Sequence, residues 1–384
     1  MSTDGRSRRG IELFCWYTMA TGSAIVVGPA ACLGAIAAEL GITSETQMGL
    51  FLGLPFWGLG TVTLFSGWLA ERLGYRRMLA ASALIQAAGY LLVSAAETMP
   101  QAFAAILLAG LGRGMPAAPL NALLCSLHPG NRTGAMNVFH AFFYVGMVVI
   151  SGLVLGMFAL GWEWRRVFGS FAILVLVFGA GALLVRFPRP QADAPGRLDL
   201  RFLLRQPAFA WIGLAILFSA VTEIGPSTWF PYFIEKAAGS SHSLGVLSLV
   251  LLGTTMAAGR LGCARMVARV GVPAVLTACC LLSAASILLA ALPVGTSFTV
   301  FWLTVLGLAI TVSYPTAVAC AGDRFPGATP SMYALLNGAA HVGGVAGPAL
   351  IGAVAEAVGL RPAMGVVALA PLCLLFAVKR ALQR

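Results

Sequence analysis

Twelve times the chain runs for about 20 residues with almost no charge, and this recurrence constrains the fold more than any other feature. A bilayer core about 30 Å thick is crossed by roughly 20 helical residues. The runs lie near residues 12–38, 47–69, 77–96, 101–126, 133–158, 164–186, 207–234, 243–266, 273–293, 297–321, 330–355 and 361–381. The breaks are short and turn-rich, as at Gly41-Ile42-Thr43-Ser44-Glu45, Gly74-Tyr75-Arg76-Arg77, His128-Pro129-Gly130-Asn131-Arg132 and Asp323-Arg324-Phe325-Pro326-Gly327. The longest, 187–206, is rich in Pro and Arg and divides the spans six and six. The expected class is an all-α membrane protein of 12 transmembrane helices. Residues 1–186 are expected to form one six-helix bundle, 187–206 a cytoplasmic linker and 207–384 a second bundle, with no segment left for a soluble domain.

Composition agrees. Of 384 residues, 59% are apolar and 10% charged, against about 25% charged in an ordinary globular domain. That excludes a soluble enzyme, a disordered chain and a nucleic-acid binder. Forty-five glycines and twenty prolines suit membrane helices, where neighbours satisfy freed backbone groups. The eight cysteines fall in or beside apolar runs, without metal or disulfide spacing, and read as small core side chains. Arg6, Arg8 and Arg9 precede an apolar run that reaches about Ala38, too long for a signal peptide, so it reads as an uncleaved first span.

The net charge of +11 is a topology signal. With the N-terminus inside, 18 of the 24 Lys and Arg residues fall on the inner side, four on the outer side, and Arg113 and Arg260 within spans. Inner loops carry the basic excess in membrane proteins, so both termini are expected in the cytoplasm.

The halves repeat. At an offset of 197, Gly28-Pro29 in span 1 falls on Gly225-Pro226 in span 7, and Arg72 and Gly74 fall on Arg269 and Gly271. At 196, Pro119 falls on Pro315 and Gly156 on Gly352. Two homologous six-helix halves are the plan of parallel-repeat transporters, which bind substrate near mid-membrane between halves. The prolines at 29, 226 and 315 are expected to loosen or kink spans 1, 7 and 10.

Gly67-Trp68-Leu69-Ala70-Glu71-Arg72-Leu73-Gly74-Tyr75-Arg76-Arg77 resembles the loop 2–3 signature of the major facilitator superfamily, with Glu71 in place of Asp. The resemblance implies that fold, and a gating role for Gly67, Glu71, Arg72, Gly74, Arg76 and Arg77. In that family the acid lies near the start of span 11, where Thr329-Pro330-Ser331 offers a cap and an N1 proline. The plainer reading is that these arginines only anchor topology. Gly112–Asn121 and Met136–Gly146 are similar to spans 4–5 of the fucose/glucose/galactose–proton symporter branch, and Val221–Tyr232 to its span 7. That implies a sugar carried with protons, with Asn121, Asn137, His140 and Tyr144 among the substrate-binding candidates. The branch's acids in spans 1 and 4 have no counterpart here.

A charge at mid-membrane depth costs at least about 2.5–3.5 kcal/mol, so it normally meets a cavity or a partner. Three formal charges lie well inside spans: Arg113, Glu223 and Arg260. Arg113 and Glu223 fall at similar depth. Glu223 reads either as a carboxyl that loads and unloads a proton or as a structural ion pair or substrate hydrogen-bonder. Arg113 reads as an anion fork, as the neutraliser of Glu223, or as a packing group. Arg260 snorkels, forms an inner gate pair, or supplies a second anion-binding group. Glu12 reads as an interface residue. His140 follows Asn137 by three residues and His341 follows Asn337 by four, so each pair shares a helix face. Proton relay and plain hydrogen-bonded packing both fit them. Trp57, Tyr144, Trp229, Tyr232, Tyr314 and Tyr333 are candidate cavity aromatics, against packing as the alternative.

No nucleotide-binding loop, H-E-x-x-H or G-x-S-x-G motif is found. The expectation is therefore a non-enzymatic, cofactor-free and metal-free secondary transporter, a monomer in the plasma membrane (a bacterial inner membrane), moving a small solute with protons. A neutral sugar-like solute leads, followed by a small organic anion and by efflux of amphiphiles. A non-transporting receptor on the same fold is a further class.

Overall fold

The computed structural model describes residues 5–188, 200–325 and 330–382. Among the described residues every regular element is helical, and eleven runs are long and apolar enough to cross a bilayer. One of them, Glu45–Ser94, has 50 residues. Straight, it would measure about 75 Å, more than twice a hydrocarbon core. It contains Gly74 at φ 74, ψ 155, a conformation open essentially to glycine alone. Glu45–Leu73 and Tyr75–Ser94 are therefore separate spans, and the total is twelve.

Span 1 is α1 (Gly5–Thr21) plus α2 (Ala24–Glu39), and spans 2 and 3 are the two parts of α3 (Glu45–Ser94). Span 4 is α4 (Met99–Gly114) plus α5 (Ala117–Leu127), span 5 is α6 (Arg132–Ala159) and span 6 is α7 (Trp164–Leu184). After a short α8 (Leu200–Arg205) come α9 (Pro207–Lys236), α10 (His242–Val270) and α11 (Val272–Ala291) as spans 7–9. Span 10 is α12 (Thr296–Ile310) plus α13 (Ser313–Arg324), span 11 is α14 (Pro330–Val358), and span 12 is α15 (Leu360–Val367) plus α16 (Leu369–Leu382).

The repeat extends to backbone detail. Span 4 breaks at Met115–Pro116 and span 10 at Thr311–Val312, so α5 and α13 start 196 residues apart. Pro119 and Pro315 are each the third residue of the new helix, where a missing N–H costs no helical bond. Arg165 Nη1, at the start of span 6, donates to Ser94 O at 2.9 Å, ending span 3. Arg361 Nη1, at the start of span 12, donates to Ala291 O at 3.1 Å and Leu292 O at 2.9 Å, ending span 9. Orphan C-terminal carbonyls are thus met by a cation in both halves. On sequence these arginines are only outer-side charges.

Contacts divide the chain into two units: Met1–Gly41 with Leu54–Ala192, and Ile42–Gly53 with Asp193–Arg384. Ile42–Gly53, the start of span 2, packs against span 11 of unit 2. A Cβ on Gly53 would come within 2.9 Å of Val345 O, and one on Gly352 within 3.0 Å of Glu45 C. Thr46 N–H donates to Glu356 Oε2 at 2.9 Å, and Ser44 Oγ shares that oxygen. Most of the central linker, 189–199, and Thr329 of the expected span 11 cap lie outside the described residues.

The prolines expected to loosen spans 1 and 7 do not interrupt their helices. Pro29 lies inside an unbroken α2, and Pro226 and Pro231 inside an unbroken α9. Beside Pro226 the hydroxyl of Thr228 donates back to Ile224 O at 2.8 Å and Gly225 O at 3.0 Å, the ordinary back-bonding of a helical threonine. Span 1 breaks instead at Gly22–Ser23. There the hydroxyls of Thr18, Thr21 and Ser23 donate to Phe14 O, Tyr17 O and Ala20 O, competing with the backbone ladder. The seven cysteines whose side chains are described form no disulfide, and four of them are buried.

Candidate functional site

In unit 1 the broken spans 1 and 4 meet at Arg113. The residue closes α4, is 7% exposed, and its Nη2 lies 3.6 Å from Met19 Sδ on α1. Gly22, in the break of span 1, lies directly beneath the guanidinium. A Cβ there would overlap Nε, Nη2 and Cζ. Tyr90 of span 3 lies within electrostatic reach of Arg113 and accepts at its hydroxyl from Gln86 Nε2 at 3.2 Å. Spans 2–4 close tightly around this point. Cβ atoms on Gly58, Gly89, Gly112 and Gly114 would all invade neighbouring backbone, and Ser82 Oγ donates to Gly112 O at 2.8 Å. Neither Gln86 nor Tyr90 stands out in the sequence, because each looks like one more residue in an apolar run.

The remaining unit 1 candidates lie on α5 and α6. Asn121 on α5 is half-buried, and its Oδ1 is buried without a hydrogen-bond partner. Tyr144 on α6 is buried and meets Phe143 edge-on at 5.5 Å. His140 is half-buried and edge-on to Phe139 at 5.4 Å, while Asn137 is exposed. Toward the N-terminal end of span 1, Glu12 is no bare interface residue. It takes Arg8 Nε at 3.0 Å and His128 Nε2 at 3.0 Å, tying α1 to the end of span 4. The i,i+4 pair Arg8–Glu12 is legible in sequence; the partner 116 residues further on is not.

In unit 2, spans 7, 8, 10 and 11 bring together a second polar set. Glu223 on α9 and Arg260 on α10 are half-buried, and both lie within electrostatic reach of the Tyr314 hydroxyl on α13. Tyr314 donates to Asn337 Oδ1 on α14. His341 lies one turn further along α14, half-buried. Gly259 allows the approach of spans 8 and 10, since a Cβ there would meet Thr311 Oγ1 at 2.6 Å. A carboxylate, a guanidinium, a phenol and an amide from four helices make a set that can bind hydroxyls and hold or release a proton. Trp229 is 0% exposed, donates its indole N–H to Pro348 O at 3.1 Å and meets Tyr232 edge-on. It is a packing pillar in this structure.

The loop 2–3 segment is exposed at Gly67, Glu71, Arg72, Arg76 and Arg77, with the Arg72 guanidinium 4.4 Å over the Trp68 ring. Gly74 provides the turn.

Residues 13–303 match the family model described as Major Facilitator Superfamily. The Multidrug resistance protein MdtH of Shigella dysenteriae serotype 1 (strain Sd197) is 24% identical over 203 residues, which is 52% of this chain and 50% of that relative. The aligned part thus spans half of that relative's length. Among solved structures, a bacterial homolog of the human lysosomal transporter Spinster, in an inward-facing and occupied conformation, aligns over 99% of this chain and 97% of its own at a TM-score of 0.75 and 16% identity. The nucleoside transporter NupG (D323A mutant) aligns over 98% and 100% at 0.76 and 13%. A twelve-span all-helical fold with repeated halves, a Gly74 turn inside the loop 2–3 signature and a model match over most of its length admit one classification: the chain belongs to the Major Facilitator Superfamily.

Proposed function

We propose that this chain is a secondary active transporter that moves a small polar solute across a bacterial inner membrane by alternating access, coupled to protons. The observation that carries the coupling is the membrane-embedded set Glu223–Arg260–Tyr314–Asn337. Glu223 supplies a carboxyl that can take up and give up a proton, and Arg260 supplies a cation that meets the same Tyr314 hydroxyl. Tyr314 and Asn337 offer donors and acceptors suited to hydroxyl-bearing solutes, and the resemblance of spans 4–5 to sugar–proton symporters supports a sugar-like body. The basic excess on the inner side supports cytoplasmic termini. The chain acts as a monomer on this reading, since each unit carries its own polar set.

In proteoliposomes of purified protein, an imposed pH gradient should drive solute accumulation by the parent. Glu223→Gln should abolish the gradient dependence while leaving downhill exchange. Gradient-driven accumulation by Glu223→Gln equal to the parent's removes the coupling role. The second reading, efflux of amphiphiles, is favoured by the similarity to a protein named for multidrug resistance. A screen of hydrophobic cations in the same vesicles distinguishes it.

A further inference from the structure

We propose that the breaks of spans 1 and 4 form a seat for an oxyanion, and that the transported solute therefore carries a carboxylate. The inference rests on the transport reading above and narrows its substrate class.

The first observation is a buried cation with no acid beside it among the described residues of its own unit. Arg113 is 7% exposed, its one hydrogen-bonding contact is the Met19 thioether, and its Nε has no hydrogen-bond partner. A guanidinium brings five donors, and a buried charge is ordinarily paired. Among the described residues of unit 1 no acid does this. Glu12 is taken by Arg8 and His128, Glu39 by Trp164 and Arg165, and Glu71, Glu97 and Glu163 are exposed.

The second observation is the backbone on which the guanidinium lies. Gly22 precedes the start of α2, a helix of 16 residues. Ser23 leaves that helix without a side-chain cap, because its hydroxyl donates backward to Ala20 O at 2.8 Å. Val26 and Val27 N–H are taken by Ser23 O. Ala24 and Ile25, 0% and 2% exposed, are the first residues of that helix. The N-terminus of α5, beside Arg113 on span 4, likewise lacks a side-chain cap. Helix N-termini carry about half a positive charge and attract anions. Here a positive pole and a buried guanidinium share one location, which is favourable only when an anion joins them. Asn121 on α5 adds a polar group that could read a hydroxyl. One guanidinium with partial helix charges matches a carboxylate more closely than a dianionic phosphate.

The test is thermal unfolding of the purified full-length protein with matched pairs: D-gluconate against sorbitol, L-lactate against lactamide, benzoate against benzamide, and inorganic phosphate. A ligand of the native state raises the melting temperature with concentration. At least one carboxylate should stabilise the parent while its uncharged partner does not. Arg113→Gln should weaken that carboxylate about ten- to a hundredfold, and Arg113→Lys should recover part of the loss, as a point charge without the fork. Equal binding of a carboxylate and its uncharged partner overturns the proposal. So do an Arg113→Gln affinity equal to the parent's, stabilisation by phosphate alone, and a parent stabilised by no carboxylate. If Arg113→Gln fails to fold, the matched pairs on the parent decide. A solute that crosses liposomes with no carboxylate requirement sinks this seat and leaves transport standing. A carboxylate that binds at Arg113 and never crosses sinks transport and leaves the seat.

Discussion

Alanine at Gly146 and alanine at Gly152 should have opposite consequences, although both lie in α6, six residues apart. A Cβ on Gly146 would stand 2.5 Å from Ala20 C and Cα on span 1, and closer still to Ala20 O. Gly152 is exposed and has nothing within 4 Å of its Cβ position. Both substitutions share the gain in helix propensity, so it cancels in the comparison. What remains is overpacking at Gly146. Backbone atoms cannot rotate aside, so spans 1 and 5 must separate by about 1 Å, at the typical cost of 1–3 kcal/mol. For a bundle of this size 1 kcal/mol shifts melting by about 2–4 °C, so Gly146→Ala should melt about 2–12 °C below Gly152→Ala. Fluorescence-detected unfolding in detergent measures this directly. Equal melting temperatures would refute the claim that Gly146 is what brings span 5 onto span 1 beside the Gly22 break.

Two further variants probe the frame. Trp229→Phe keeps most of the buried area but leaves Pro348 O without its donor. It should cost about 0.5–1.5 kcal/mol, read as a small fall in melting temperature, with Trp229→Ala falling much further. Gly74→Ala forces a side chain into φ 74, ψ 155 and should cost about 1–3 kcal/mol. Chromatographic recovery of monodisperse protein should drop, whereas alanine at Gly67, exposed and with nothing near its Cβ position, should be tolerated.

The spans were legible because a bilayer demands length and apolarity, and both are local properties of sequence. The turn at Gly74 was legible for the same reason, with two arginines after it marking the membrane edge. Breaks within spans were less so. Pro29 and Pro226 are the conspicuous breakers in the sequence, yet α2 runs through Pro29 and α9 through Pro226. The real signal in span 1 was Thr18-Met19-Ala20-Thr21-Gly22-Ser23, a polar cluster of small residues within an apolar run. Matching glycines also proved unequal. Gly352 faces the backbone of Glu45, whereas a Cβ on its repeat mate Gly156 would meet open space. The repeat fixes backbone placement; close approach depends on neighbours distant in sequence. The surroundings of Arg113 and the approach of Arg260 and Glu223 to Tyr314 are of that long-range kind. No local pattern reports them.

Counterflow in proteoliposomes tests the central claim most directly. Vesicles preloaded with an unlabelled solute, a sugar or a sugar acid, and diluted into a trace of the labelled compound should show a transient overshoot of label with no gradient applied. That overshoot requires a carrier whose loaded site faces each side in turn. Vesicles that equilibrate no faster than protein-free controls, for every sugar, small organic anion and amphiphile tried, would contradict the account.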